Sequence, residues 1–229
     1  MCLILLAWRR HPEFPLMVAA NRDEFHARPA ERAGFWKDHP GILAGRDLEA
    51  KGTWMGVSRS DRFAAVTNYR GGRDANAAES RGALVTRFLL NDLSPGKYVS
   101  SLNPASYSGF NLLVADHDEL WWLSNRDGSP RRLEPGIYGL GNFLLDTPDV
   151  AESKAQFARS IDPAPSIEPL FTVLAAAKIV APDYGTRCST VLLDGNDGVI
   201  RFAERAFDAS GKEDETVRFE MRRNGQRRI

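Results

Sequence analysis

Short apolar runs separated by polar turns recur along the whole chain. Leu3-Ile4-Leu5-Leu6-Ala7-Trp8 and Leu16-Met17-Val18-Ala19-Ala20 flank Arg9-Arg10-His11-Pro12-Glu13-Phe14-Pro15, a polar stretch with two prolines. Two such runs around a turn predict an antiparallel hairpin. Thr53 to Ser58 and Phe63 to Asn68 repeat the pattern around Arg59-Ser60-Asp61-Arg62. Phe110 to Ala115 and Glu119 to Ser124 repeat it across Asp116-His117-Asp118. Cys188 to Leu193 and Val199 to Ala203 flank Asp194-Gly195-Asn196-Asp197-Gly198, a strong turn signal. Thr216 to Met221 alternates and reads as a last strand.

Helical periodicity is confined to the middle of the chain. Arg81 to Leu90 carries Leu84, Val85, Phe88 and Leu89 on one face. Ser94-Pro95 opens a short helix by the cap-then-proline rule, and Thr147-Pro148 starts one running to about Ile161. Ser166 is placed to cap a further helix with Leu170, Phe171 and Leu174 on its buried stripe. Arg70-Gly71-Gly72-Arg73-Asp74 reads as a flexible polar loop. Gly136 to Asn142 is glycine-rich, so its backbone can approach a ligand closely, but it lacks the Gly-Lys-Ser ending of a phosphate loop. No repeat or linker divides the chain. Hairpins, then helices, then strands predict one α+β domain over residues 1–229, with two antiparallel sheets between helical layers.

Charge narrows the function classes. Lys plus Arg is 30 and Asp plus Glu is 30, a net charge of zero, which argues against nucleic acid held by bulk electrostatics. The basic end, with Arg218, Arg222, Arg223, Arg227 and Arg228, is interleaved with acids and reads as a solvated strand and tail. Two cysteines give no secreted disulfide framework, and four scattered histidines have no metal-ligand spacing. The apolar start has no positive region before it and is too short for a signal peptide, and no run approaches a spanning helix. The expected compartment is the cytoplasm, with no resident cofactor or metal.

The chemistry converges on the start of the chain. If Met1 is removed, Cys2 carries a thiol and a free α-amine, a nucleophile and a base on one residue. The α-amine has an ordinary pKa of about 7.7–8.0 and can accept a proton near neutrality. Folding the first hairpin near Pro12 brings Cys2 opposite Arg22 or Asp23, where the Asp23 carboxylate can hold that amine. The same residues also fit a buried strand cysteine beside a turn aspartate.

Met1-Cys2, Asn21-Arg22-Asp23-Glu24, Gly52-Thr53-Trp54, Thr67-Asn68-Tyr69, Tyr138 to Asn142 and Thr186-Arg187 to Leu193, in that order, resemble the NRDE family, which includes the transport and Golgi organisation protein two of animals. That family resembles a branch of the N-terminal-nucleophile hydrolases, which implies a four-layer αββα sandwich. Carried over residue by residue from the cholylglycine hydrolase and penicillin V acylase branch, the resemblance implies Cys2 as nucleophile and Asp23 as holder of its amine. It implies Asn68 and Asn142 as oxyanion donors and Arg187 as a late arginine near the nucleophile. Ala20 stands where those acylases place an arginine. Arg22 could substitute, but it points to the opposite strand face from Asp23. Arg22 and Glu24 are expected to brace the site as an ion pair. Gly45-Arg46-Asp47 and Gly52-Thr53-Trp54 are expected to shape a pocket wall. Trp54, Trp121 and Trp122 fit either an apolar cavity for an acyl chain or flat ring, or the core.

Two functions follow as expectations. The first is a cysteine-dependent hydrolase or acyl-transfer enzyme acting on a non-peptide amide or thioester. The second, implied by the resemblance, is a carrier of haem, acyl-coenzyme A or lipid on the same scaffold. For both, the partner is a small acyl, amide or haem-like molecule, with haem only as cargo. Oligomeric state is not encoded in any pattern found.

Overall fold

A computed structural model describes residues 2–71 and 77–224. Met1, residues 72–76, which include the last three positions of the expected polar loop, and Arg227 and Arg228 of the basic tail lie outside the described residues. In chain order the strands and helices are β1 (Leu3–Trp8), β2 (Leu16–Phe25), β3 (Ala30–Phe35), β4 (Ile42–Asp47), β5 (Met55–Ser58), β6 (Arg62–Asn68), α1 (Arg81–Leu90), α2 (Pro95–Ser101), β7 (Phe110–Ala115), β8 (Leu120–Ser124), β9 (Arg131–Leu133), β10 (Gly136–Leu140), α3 (Ala151–Ser160), α4 (Ile167–Ala176), β11 (Tyr184–Asp194), β12 (Val199–Phe207) and β13 (Glu213–Arg222). The class is α+β, built on two antiparallel sheets. The chain forms two compact units, Met1–Pro29 with Glu134–Glu220, and Ala30–Leu133 with Met221–Ile229.

The first unit holds a six-stranded sheet in the order β10-β1-β2-β11-β12-β13. Its central strands are near-continuous apolar runs because both faces are buried, so period-2 alternation is muted. On one face Leu3, Leu5, Met17, Ala19, Val191 and Leu193 pack against Phe157 of α3 and Leu170, Phe171 and Leu174 of α4. Each such large side chain stabilises by about 1.5–3 kcal/mol when fully removed from water. The opposite face, with Ile4, Leu6, Val18, Leu192 and Phe202, is buried as well. Ser166 occupies the N-cap position of α4 as expected, but its side chain makes no capping hydrogen bond. The helix begun at Thr147-Pro148 opens with a 3₁₀ turn, Pro148–Val150, before α3 proper.

The second unit holds a seven-stranded meander, β3 to β9 in sequence order. Ile42, Ala44, Ala64, Val66, Leu112 and Val114 pack beneath α1 and α2 with Leu84, Phe88 and Tyr98. Both ends of α1 are closed by side chains. Ser80 Oγ accepts from the Gly82 N–H. The Arg62 guanidinium donates to the Phe88 and Leu93 carbonyls. Trp122 is fully buried and Trp121 packs on the helix-side core, so both tryptophans serve the core.

The segments around Arg46 and Gly52 make a set of local contacts. Arg46 forms a two-pronged pair with Asp38 and lies over the Trp36 ring. Asp47 Oδ1 accepts from the Glu49 and Ala50 N–H groups, which turns the chain toward Gly52. Gly52 passes so close to α1 that a Cβ there would stand 2.7 Å from the Gly82 carbonyl carbon. Trp54 is half-buried beside β5 in the same unit.

Candidate functional site

The β1–β2 hairpin positions Cys2. Leu3 faces Asn21 in an antiparallel register, and one further step brings Cys2 level with Arg22. On its other edge β1 pairs with β10, with Ile4 opposite Leu140. Half-buried Asn142 lies in the bend that follows β10, two residues past Leu140. β2 is flanked on its far side by β11, with Thr186 opposite Asp23 and Cys188 opposite Arg22.

The thiol rests on the Asp23 backbone. Cys2 Sγ donates to the Asp23 carbonyl at 3.5 Å, and the Asp23 N–H donates to Sγ at 3.5 Å. Cys2 is 8% exposed. Burial, and then the Asp23 carboxylate, push the thiol up to about 11. The Asp23 N–H and Arg22 oppose that rise and are outweighed.

The four motif residues divide their work by strand alternation. Asn21 and Asp23 point toward the helices, and Arg22 points to the other face. Asn21 Nδ2 donates to the Leu174 carbonyl near the end of α4 at 2.9 Å, and its Oδ1 accepts from Ser189 Oγ at 2.6 Å. Asp23 Oδ1 accepts from Thr186 Oγ1 at 2.6 Å, and Thr186 Oγ1 itself accepts from the Ile179 N–H at 2.9 Å. The buried Asp23 carboxylate is therefore held by a hydroxyl that is itself held by backbone. Arg22 is buried, and its charge reaches both Cys2 and Cys188. Glu24 accepts from the Phe25 N–H and pairs with Arg28 at 4.0 Å.

Arg187 is the extra residue of a bulge between Thr186 and Cys188. Its Nη1 donates to the Phe25, His26 and Arg28 carbonyls at 3.0, 3.1 and 3.2 Å. The guanidinium thereby clamps the segment that follows the motif. Asn68 ends β6 in the second unit and is exposed.

Tyr184 and Glu204 have no place in the sequence reading, and Thr186 enters it only within a family motif, with no role. Tyr184 Oη donates to the Asp23 carbonyl at 3.1 Å, the same oxygen that receives the Cys2 thiol. Glu204 is 4% exposed and accepts from Thr190 Oγ1 at 3.5 Å. Burial, and then Glu204, raise the Cys188 thiol. Thr186 supports Asp23 as described. All three lie on β11 or β12, and only the long-range β2–β11 pairing brings them near the motif. Among the described residues no group of three His, Cys, Asp or Glu side chains is placed to hold a metal ion.

The buried Cys2 thus sits at a strand end, seated on the backbone of an aspartate of the neighbouring strand, on an antiparallel α+β scaffold. The solved structures agree on the fold. An N-acylethanolamine-hydrolyzing acid amidase ortholog of Caenorhabditis elegans superposes with a TM-score of 0.54 at 10% identity, covering 84% of this chain and 92% of that one. A C2A mutant of a conjugated bile acid hydrolase from Clostridium perfringens superposes with a TM-score of 0.58 at 9% identity, covering 96% and 92%.

The sequence comparisons name the family. The family model for Transport and Golgi organisation 2 matches residues 1–183. A Transport and Golgi organization protein 2 homolog of Bos taurus is 34% identical, covering 90% of this chain and 93% of that protein. The chain belongs to the Transport and Golgi organisation 2 family. Among the described residues no helix is long and apolar enough to cross a membrane.

Proposed function

We propose that this chain is a cysteine-dependent hydrolase or acyl-transfer enzyme acting on a small non-peptide amide or a thioester, with Cys2 as nucleophile. The reading is carried by the Cys2 thiol seated on the Asp23 backbone while the Asp23 carboxylate is fixed by Thr186. The names of the two solved structures, an amidase and a bile acid hydrolase, support the substrate class by fold likeness.

In this reading Met1 is removed and the new α-amine of Cys2 takes the thiol proton. Sulfur attacks the carbonyl carbon, and the carbonyl oxygen gains the negative charge. Asn142, just past the end of β10, the strand that pairs with β1, is the donor this reading assigns to that oxyanion. The tetrahedral adduct collapses to an acyl thioester on Cys2, and the ammonium returns the proton to the leaving amine or thiol. Water, or another acceptor, then attacks the thioester and frees Cys2. With Met1 still attached the thiol holds its proton, up to about 11, so the unprocessed chain is a weak nucleophile.

The test is turnover of fatty-acyl amides and acyl thioesters by wild type and by Cys2→Ala. Turnover lost in Cys2→Ala with the fold intact supports the reading. Equal turnover in both proteins overturns it. The deep burial of the thiol favours a second reading, a haem, acyl-coenzyme A or lipid carrier. Saturable binding of haem or long-chain acyl-coenzyme A that survives Cys2→Ala, with no turnover of any acyl substrate, selects that reading.

A further inference from the structure

We infer that Tyr184 is a positioning residue for the Cys2 thiol, acting through the carbonyl oxygen of Asp23 that the two side chains share. This rests on the proposed role of Cys2 as nucleophile and adds a residue to that site.

The geometry is specific. Tyr184 Oη donates to the Asp23 carbonyl at 3.1 Å, and Cys2 Sγ donates to the same oxygen at 3.5 Å. A carbonyl oxygen has two lone pairs, enough to accept both. When Cys2 gives up its proton, sulfur can no longer donate, and an anionic sulfur is left facing the negative end of a carbonyl dipole. A phenol on that oxygen draws charge away from it, which lessens the repulsion. Burial, and then the Cys2 and Asp23 charges, hold the Tyr184 phenol well above its ordinary range, so it stays a donor throughout the working pH.

The ring is fixed at its other side. Phe25 and Tyr184 stand edge to face with centroids 5.3 Å apart and planes at 77°. Their backbones are cross-strand partners in the β2–β11 register, so the contact is set by the sheet. Phe25 is 59% exposed. An aromatic pair thus runs from solvent to the carbonyl beneath the thiol.

The experiment is the rate of iodoacetamide alkylation of Cys2 from pH 7 to 11, read as the mass of the peptide that carries it, so that Cys188 does not contribute. Tyr184→Phe keeps the ring and removes the hydroxyl. Its alkylation profile is expected to move up by about one pH unit, which is about tenfold slower alkylation on the rising limb. Phe25→Ala keeps the hydroxyl and frees the ring. It is expected to move the profile the same way by about a third as much, and it stands in should Tyr184→Phe fail to fold. Circular dichroism melting of each variant separates an altered thiol from an unfolded one. Profiles that coincide with wild type in the folded variants overturn the inference. Alkylation needs no substrate, so shifted profiles in a protein that turns over no amide or thioester would uphold Tyr184 and reject the hydrolase reading.

Discussion

Cys2 and Asp23 hold each other twice, the thiol donating to the Asp23 carbonyl and the Asp23 N–H donating to the sulfur, both at 3.5 Å. The pair places a nucleophile but buries it, and burial raises the thiol from 9.0 to about 11. Below about pH 9 the folded and unfolded chains both keep this proton, and the site costs nothing. Above it the unfolded chain releases the proton first, so stability falls until the folded thiol also ionises near 11. At about 1.4 kcal/mol per unit, the fall attributable to Cys2 is about 3 kcal/mol. Urea unfolding of the Met1-retaining protein at pH 8, 9, 10 and 11 is expected to show a steeper alkaline loss in wild type than in Cys2→Ser. Parallel loss in the two would contradict the cause given for the shift.

Asn21 is a structural member of the motif. Replacing it with alanine strands the Leu174 carbonyl and the Ser189 hydroxyl in a buried setting. An unsatisfied buried group costs about 1–3 kcal/mol, so Asn21→Ala is expected to lower unfolding stability by about 2–4 kcal/mol. Asn21→Asp keeps the acceptor and loses the donor, and is expected to be destabilised as well. Denaturant midpoints near wild type for both would remove the tie between sheet and α4.

Arg187 reaches three carbonyls through Nη1 at the end of a rigid planar guanidinium, and a lysine ammonium on its flexible stem is not held in the same place. Arg187→Lys is expected to accelerate amide hydrogen exchange at His26 and Arg28, whose N–H groups bond to Asp183 and Phe25. Exchange confined to those residues marks a clamp. Unchanged exchange together with lost turnover would instead assign the guanidinium to the reaction.

Gly52 tests the second unit by itself. A Cβ there would stand 2.7 Å from the Gly82 carbonyl carbon and 2.8 Å from its oxygen, both backbone atoms that cannot swing away. Gly52→Ala is expected to destabilise by about 1–3 kcal/mol, the usual range for overpacking. A melting temperature equal to wild type would show that the loop yields without cost.

The legible part of this chain is local. The hairpins β1–β2 and β7–β8 and the helix α1 follow from periodicity, because each pairs or packs with sequence neighbours. β3 was not readable, since Ala30-Glu31-Arg32-Ala33-Gly34-Phe35 is an edge strand with one buried residue and a register break, and so has no alternation. β9 has only three residues. β10 reads as a glycine-rich turn, yet Gly139 is needed where the 3₁₀ turn before α3 crowds it. A Cβ at Gly139 would meet Val150 at 2.8 Å. At the site, Cys2 and Asp23, which the structure joins, are nameable from residue type and motif. Tyr184, Glu204 and the hold of Thr186 on Asp23 are not, because they depend on β11 inserting beside β2, a pairing across some 160 residues that no local pattern encodes.

The most direct test of the account is the intact mass of the protein recovered from its native host, measured before and after brief exposure to a fatty-acyl thioester. The account predicts a chain that starts at Cys2 and gains one acyl group there, lost again on standing in water. A fully active protein that still carries Met1, or an acyl group that settles on any other residue, would contradict it.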